Sequence, residues 1–224
     1  MNTVKSLIKI DIGCGPHKRE GFIGIDSSKH SGVDYVVDIE KEDLPFENGS
    51  VDYIFSSHCL EHISNTNRFF QEICRVACEG ATVEIWTPYA FSNGAFIFSH
   101  VQFLNEEHYM HMCVLFPEVY KKLTGGFWVL NEIKYVVLPS TLVDIDRSGH
   151  SLDFALKYFK GVVQEFGVFM NIYRSKPPKE KVPAWWEVRT FSTDRYEKSM
   201  RIKELAPSTD EEVSKAIKKF ALDG

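Results

Sequence analysis

An α/β fold built on a doubly wound, mostly parallel sheet of about seven strands is what this sequence predicts. Three observations carry that expectation. Short apolar runs rich in isoleucine and valine alternate with helical or turn segments through residues 7–88. The first run breaks into Gly13-Cys14-Gly15-Pro16, a glycine turn where a strand would meet a ligand. The second and third runs each reach an aspartate, Asp26 and Asp38.

The elements follow in order. Leu7 to Ile12 is the first strand, and Gly21 to Asp26 the second. Ser27 to Gly32 is polar and reads as a loop; Val33 to Ile39 is a third strand, and Glu40 to Leu44 a helical turn stopped by Pro45. The turn signal Glu47-Asn48-Gly49-Ser50 introduces the strand Val51 to Ser57. Asn65 to Cys78 has helical spacing, with Gly80 placed as a left-handed cap, and Thr82 to Thr87 forms the fifth strand. Tyr89 to His111 loses periodicity and is rich in aromatics and histidines; irregular segments of that length inside a domain are usually functional. Phe116 to Leu123 is a short helix ending at Gly125-Gly126. Phe127 to Leu138 and Glu165 to Arg174 are the last strands, with a helical stretch near Ser151 to Lys160. Lys176-Pro177-Pro178-Lys179 marks a linker, Trp185-Trp186 stands in the tail, and Asp210 to Leu222 is a helix opened by a Thr209/Glu212 capping box. Residues 1–175 therefore read as one domain with 89–123 as an insert, and 176–224 as a linker and helix packed on it.

Composition narrows the class. Among 224 residues, 44% are hydrophobic and 25% charged, ordinary for a globular chain, and a formal charge of −5 argues against a nucleic-acid partner. No run approaches the roughly 20 apolar residues of a membrane span, and no signal-like segment precedes the first strand, so the expected location is cytoplasmic. Five cysteines, odd in number, fit reduced thiols.

The glycine turn points to a nucleoside, and its spacing to one kind. A dinucleotide fingerprint needs a third glycine where Lys18 stands. About nine residues separate Ile12 from Phe22, whereas a crossover helix needs roughly ten to twelve. A pyrophosphate depends on that helix N-terminus; S-adenosylmethionine, with a ribose, an adenine and a zwitterionic tail, does not. Glycine at 13 and 15 lets backbone approach such a ligand. Asp26 is placed to accept from both ribose hydroxyls and Asp38 from the adenine amino group, the alternative for each being a turn or helix cap.

Together Lys9-Ile10-Asp11-Ile12-Gly13-Cys14-Gly15, Ile25-Asp26, Leu44-Pro45-Phe46 with Ser50-Val51-Asp52, and His58-Cys59-Leu60-Glu61-His62-Ile63 resemble class I S-adenosylmethionine-dependent methyltransferases. More closely they resemble the small bacterial type associated with surface-glycan gene clusters. The resemblance covers roughly residues 4 to 90 and implies a Rossmann-like sheet with its last strand antiparallel and its first crossover helix very short. It implies that Asp11 orders the glycine loop, that Gly13 and Gly15, with Cys14, contact the cofactor, that Asp26, with Ser27, holds the ribose, that Asp38 with Ile39 borders the adenine, and that Ser57-His58 lies beside the methionine end.

Methyl transfer asks for alignment, exclusion of water and, for a hydroxyl nucleophile, a base near neutrality. His58 follows the fourth strand at the ligand-binding edge, and Glu61 stands one turn on. His62 reads as a brace for the following helix. In the glycan-cluster relatives a histidine often lies in the insert, which makes His100 the first choice as base, His58 the second, and Glu61 the acid near the reacting centre. His108-x-x-His111-x-Cys113 has zinc-like spacing but no clear fourth ligand besides His100, so no metal is expected. The expected reaction is methyl transfer to a hydroxyl of a sugar, glycan intermediate or other small molecule. The alternatives are a peptide, protein or RNA acceptor docked by Trp185, Trp186 and Lys176 to Lys181, and a non-catalytic nucleoside-binding module; the third-glycine gap disfavours a dehydrogenase.

Overall fold

The computed structural model describes residues 7–175, 177, 184–190 (backbone only) and 209–221. Its strands are β1 (Lys9–Ile12), β2 (Ile23–Asp26), β3 (Tyr35–Val36), β4 (Val51–Ser57), β5 (Ala77–Pro88), β6 (Phe127–Val137), β7 (Val163–Tyr173) and β8 (Ala184–Thr190). They form one sheet in the order β3-β2-β1-β4-β5-β7-β6-β8. β7 runs antiparallel between β5 and β6, and every other described pairing is parallel. The seven expected strands are present. An eighth, β8, holds Trp185-Trp186 and adds in parallel to β6, with Ala184 opposite Glu132. The basic run from Lys176 to Lys181 lies, Pro177 apart, outside the described residues.

The helices are α1 (Thr66–Val76), α2 (Glu106–Met110), α3 (Pro117–Thr124), α4 (Pro139–Ser148), α5 (Leu152–Tyr158) and α6 (Asp210–Ala221). Central strands bury both faces, which is why they read as continuous apolar runs. Ile10, Ile54, Val83, Val168 and Met170 are fully enclosed, and α1 lays Phe69 and Ile73 on them. Each such side chain contributes roughly 1.5–3 kcal/mol.

Three local readings are corrected. The helix expected to Cys78 ends at Val76: Ala77 turns extended and enters β5, so Gly80, at φ +78°, sits within a strand rather than capping a helix. β3 is two residues long, not seven. α4 was not expected; Pro139 opens it, Leu142, Val143 and Ile145 bury its inner face, and Gly149 closes it at φ +75°. α6 lies on α4, burying Ala216 and Phe220, with Arg147–Glu212 and Asp146–Lys219 ion pairs beside the contact. The Thr209/Glu212 capping box is formed, each backbone N–H donating to the other side chain.

The short first crossover holds turns and no helix. Its place over the sheet is taken by side chains. The Arg19 guanidinium lies 4.5 Å from the Phe55 ring centre and 5.0 Å from that of Phe22, and pairs with Glu84 at 2.7 Å. Tyr53 also donates to Glu84, as does the Trp86 indole at 2.7 Å. One cation on aromatic rings, anchored to a buried carboxylate, covers apolar surface that an amphipathic helix would cover.

Candidate active site

The carboxyl ends of β1, β2 and β4, with the chain just beyond β3, open onto a cavity of about 330 Å³, the place where open α/β sheets bind ligands. Of the residues the sequence nominates for cofactor, Gly13, Asp26, Ser27, Asp38, Ile39 and His58 line it. Asp11, Cys14, Gly15 and Ser57 do not, and each has another place.

Asp11 is buried, and its carboxylate accepts the Arg19 N–H at 2.8 Å, fastening the far end of the glycine loop. Burial outweighs that bond and raises its pKa. Gly13 stands at φ +72°, and a Cβ there would lie 2.4 Å from the Cβ of Cys59. Glycine is therefore demanded at 13 by Cys59, not only by a ligand. Gly15, at φ +52°, has open space where a Cβ would be.

Asp26 is clamped by two backbone donors, Gly15 N–H and Ser28 N–H, each at 2.9 Å. A carboxylate has about four acceptor sites, so the clamp orients it and leaves acceptor capacity for a diol. Asp38 differs. It accepts from Lys41 Nζ at 2.6 Å and from Glu40 N–H at 3.1 Å, and the Lys41 bond holds its pKa below the usual carboxylate range. Asp38 both lines the cavity and caps a turn, with its carbonyl accepting from the Lys41 and Glu42 N–H groups. The cavity's size, its apolar floor of Ile12, Ile25 and Ile39 and the oriented Asp26 fit a nucleoside carrying a compact tail.

The edge after β4 carries the chemistry. His58 is the one non-glycine residue at positive φ among the described residues, 54°. Such a conformation costs about 1–3 kcal/mol and concentrates at functional sites. It turns the imidazole so that Nε2 meets Glu165 at 2.7 Å and Nδ1 stands 3.2 Å from Glu61. Burial pulls the His58 pKa down, but the bonds to Glu165 and Glu61 outweigh it and push it up to about 9. With both nitrogens facing carboxylates, His58 has no free lone pair, which corrects its expected role as second-choice base. Glu165, which no sequence pattern nominates, completes this arrangement from β7.

Glu61 is 1% exposed; one carboxylate oxygen pairs with His58 Nδ1 at 3.2 Å, and the other has no partner among the described residues. Its backbone carbonyl accepts from Val101 and Gln102, so the same residue anchors the insert. Tyr109, Thr87 and Glu106 bring further buried oxygens without partners. His62 does not brace α1; its Nδ1 pairs with the Ser99 carbonyl at 2.9 Å, and its ring packs edge-on against His100 at 4.7 Å. His100 reaches this edge, and its Nδ1 faces the Ala95 carbonyl at 3.2 Å. The zinc-like trio does not assemble: His108 bonds Asn105 at the start of α2, His111 packs on Phe116, and the Cys113 sulfur faces Met170.

Comparison with known proteins agrees with this geometry. Residues 19–85 match the family described as "Methyltransferase domain". A stretch of 43 residues, 19% of this chain, is 42% identical to ajmaline N-methyltransferase of Rauvolfia serpentina; the match spans 15% of that protein's length. A S-adenosylmethionine-dependent methyltransferase from Archaeoglobus fulgidus superposes with a TM-score of 0.55 at 14% identity, over 75% of this chain and 86% of that one. A chain from the complex between the Haloferax volcanii Trm112 methyltransferase activator and a methyltransferase gives 0.50 at 14% identity, over 80% and 87%. The fold is that of class I methyltransferases. Residues 19–85 are thus similar to a methyltransferase domain.

Proposed function

We propose that the chain is a S-adenosylmethionine-dependent methyltransferase acting on a hydroxyl of a small molecule, a sugar or glycan intermediate foremost. Residues 1–175 hold its catalytic machinery and 89–123 the acceptor-side insert, while β8 joins the same sheet from beyond residue 175 and α6 is seated on α4. The observation that carries the reading is Glu61, a fully buried carboxylate with one oxygen paired to His58 and the other left without a partner among the described residues, beside the cofactor cavity. Leaving that oxygen unsatisfied costs the fold about 1–3 kcal/mol, and a bound acceptor's O–H offsets it.

S-adenosylmethionine supplies an activated methyl group on a sulfonium sulfur. Asp26 accepts from the ribose hydroxyls and Asp38 borders the adenine. Glu165 and Glu61 fix His58, and Glu61 accepts the acceptor's proton as the oxygen–carbon bond forms. His100 stands next to Glu61 as the second polar group on the acceptor. The insert covers this edge with Leu104, Tyr109 and Met112, which keep water out. No described helix is long and apolar enough to cross a membrane. All five cysteines are free thiols, which supports a reducing, cytoplasmic setting.

An amine acceptor is a second reading with its own observation. A second cavity of about 270 Å³ sets Glu106 and Asp153 beside Tyr89 and Tyr135, with Lys157 also in its wall, and the two acids and two rings are groups suited to an ammonium. Calorimetry with S-adenosylhomocysteine, then methyl incorporation across a panel of sugar, polyol and amine acceptors, tests both readings. Cofactor binding with methylated hydroxyl products is expected. A protein that binds neither cofactor form would overturn the reading, and methylation confined to amines would shift it to the second cavity.

A further inference from the structure

We propose that Glu61, His62 and His100 form a site for a divalent first-row cation of the zinc class. One carboxylate oxygen and two imidazole nitrogens lie within 4.8 Å of one another, the one such group of three among the described residues. Three features make this more than proximity. Glu61 is 1% exposed, and beyond the His58 pair its second carboxylate oxygen has no partner among the described residues. Both histidines turn Nδ1 to a backbone carbonyl, Ser99 for His62 and Ala95 for His100. That bond fixes Nδ1 as the donor and leaves Nε2 with the lone pair, the second contact that metal-binding histidines usually make. The two rings also pack edge-on at 4.7 Å, so two segments 38 residues apart in the chain are already brought together.

Two histidines and one carboxylate is a ligand set of open catalytic zinc sites, which keep a further position for water or substrate. Bonds of about 2.0–2.2 Å draw the donor atoms to somewhat over 3 Å apart, a contraction that side-chain rotation supplies. Glu61 Oε1 faces His58, and its second oxygen is the one left to a cation. His62 lines the cofactor cavity, so the open position faces the same space. A cation there would engage the Glu61 oxygen that otherwise accepts the acceptor's proton, so it would act in place of that base and favour an acceptor that offers two chelating oxygens, as a vicinal diol or hydroxy acid does. The binding itself does not rest on the methyltransferase reading.

Cobalt(II) is the probe. The full chain, stripped with chelator, is titrated with Co²⁺ and followed by visible d–d absorption, then challenged with Zn²⁺. One cobalt per chain, displaced by zinc, is expected. His62→Ala and His100→Ala should each weaken binding at least tenfold, and the double variant should abolish the bands, while His108→Ala/His111→Ala leaves them intact. Circular dichroism and S-adenosylhomocysteine calorimetry on the same variants report folding and the cofactor site. Absent bands, or bands that survive the His62/His100 double change, overturn the cation site. Cofactor binding without cobalt sinks this site alone, and cobalt without cofactor binding sinks the methyltransferase reading alone.

Discussion

The glycine loop with its Arg19 cover and the edge under the aromatic insert are built to opposite rules. Around the loop, polar groups are matched: Asp11 with the Arg19 N–H, Asp26 with Gly15 and Ser28, Glu84 with Arg19, Tyr53 and Trp86. At the insert edge, the Thr87 and Tyr109 hydroxyls and one oxygen each of Glu61 and Glu106 stand without partners among the described residues, and Phe91, Phe96 and Phe98 face solvent. On the proposed reading the loop region serves the same ligand at every turnover and can satisfy itself in advance. The insert region leaves capacity for a partner that arrives and departs, and bears the cost in stability.

Exchanging Glu61 for Gln breaks that contrast most directly. The amide keeps the volume and loses the proton acceptor. Turnover should fall about 100-fold to 10,000-fold, with S-adenosylhomocysteine affinity within about threefold. Single-turnover kinetics beside calorimetry separates the two; equal losses in both would return Glu61 to the structural side.

Gly13→Ala sharpens the other half. Its Cβ would meet Cys59 at 2.4 Å and its φ is +72°. The left-handed conformation and the overpacking together should cost roughly 2–4 kcal/mol of stability, read by denaturant melts. The double change Gly13→Ala/Cys59→Gly should recover part of it, whereas recovery of none would mean that the backbone, not Cys59, sets the demand.

What the sequence exposed and what it hid divide along the same line. Strands and the glycine loop are local in origin: β4 runs Val51–Ser57 as expected, and the residue shortage before Phe22 correctly foretold a crossover without a phosphate-binding helix. Arg19 taking that helix's place was not legible, because Glu84 stands 65 residues away and only the β4–β5 pairing brings it near. His58 looked like a base because the strand end is local, while Glu165, which accepts from Nε2 and favours the protonated ring, arrives 107 residues later on the antiparallel strand. Likewise His62 meets His100 only through the fold of the insert. α4 had readable signals in Pro139 and Gly149, but its apolar residues resembled a continuation of β6. β8 carried no more than Trp185-Trp186 as a hint.

Glu84→Gln asks how much the matched network contributes. Burial raises the Glu84 pKa, but the bonds from Tyr53, Trp86 and Arg19 outweigh it and hold the carboxyl below its ordinary 4.5. A depressed folded-state pKa contributes stability that is present above the unfolded value and lost as pH falls through the folded one. The variant should be less stable at neutral pH by about 1–3 kcal/mol, an amount discounted because Arg19 is partly exposed. The gap between the two proteins should close as pH drops below 4.5. Melts at a series of pH values check this; a gap that stays constant into acid would mean that Glu84 contributes by packing alone.

The smallest expected effect compares the two aspartates of the cofactor cavity. Asp26 is oriented by two backbone N–H groups that no side-chain change removes, and its remaining acceptor sites face the cavity. Asp26→Ala should weaken S-adenosylhomocysteine binding by about 1–3 kcal/mol. Asp38 already gives one oxygen to the Lys41 ammonium at the surface and the other to Glu40 N–H. An acceptor engaged with a solvated cation has less to gain from an adenine amino group, and exposed pairs of this kind are worth about 0–1 kcal/mol. Asp38→Ala should therefore cost no more than about fivefold in affinity. Lys41→Ala, which frees the Asp38 carboxylate, should tighten binding slightly or leave it unchanged. If Asp38→Ala instead weakens the cofactor as much as Asp26→Ala does, the adenine takes Asp38 from Lys41 on binding, and the third strand's aspartate belongs with the unsatisfied groups rather than the matched ones.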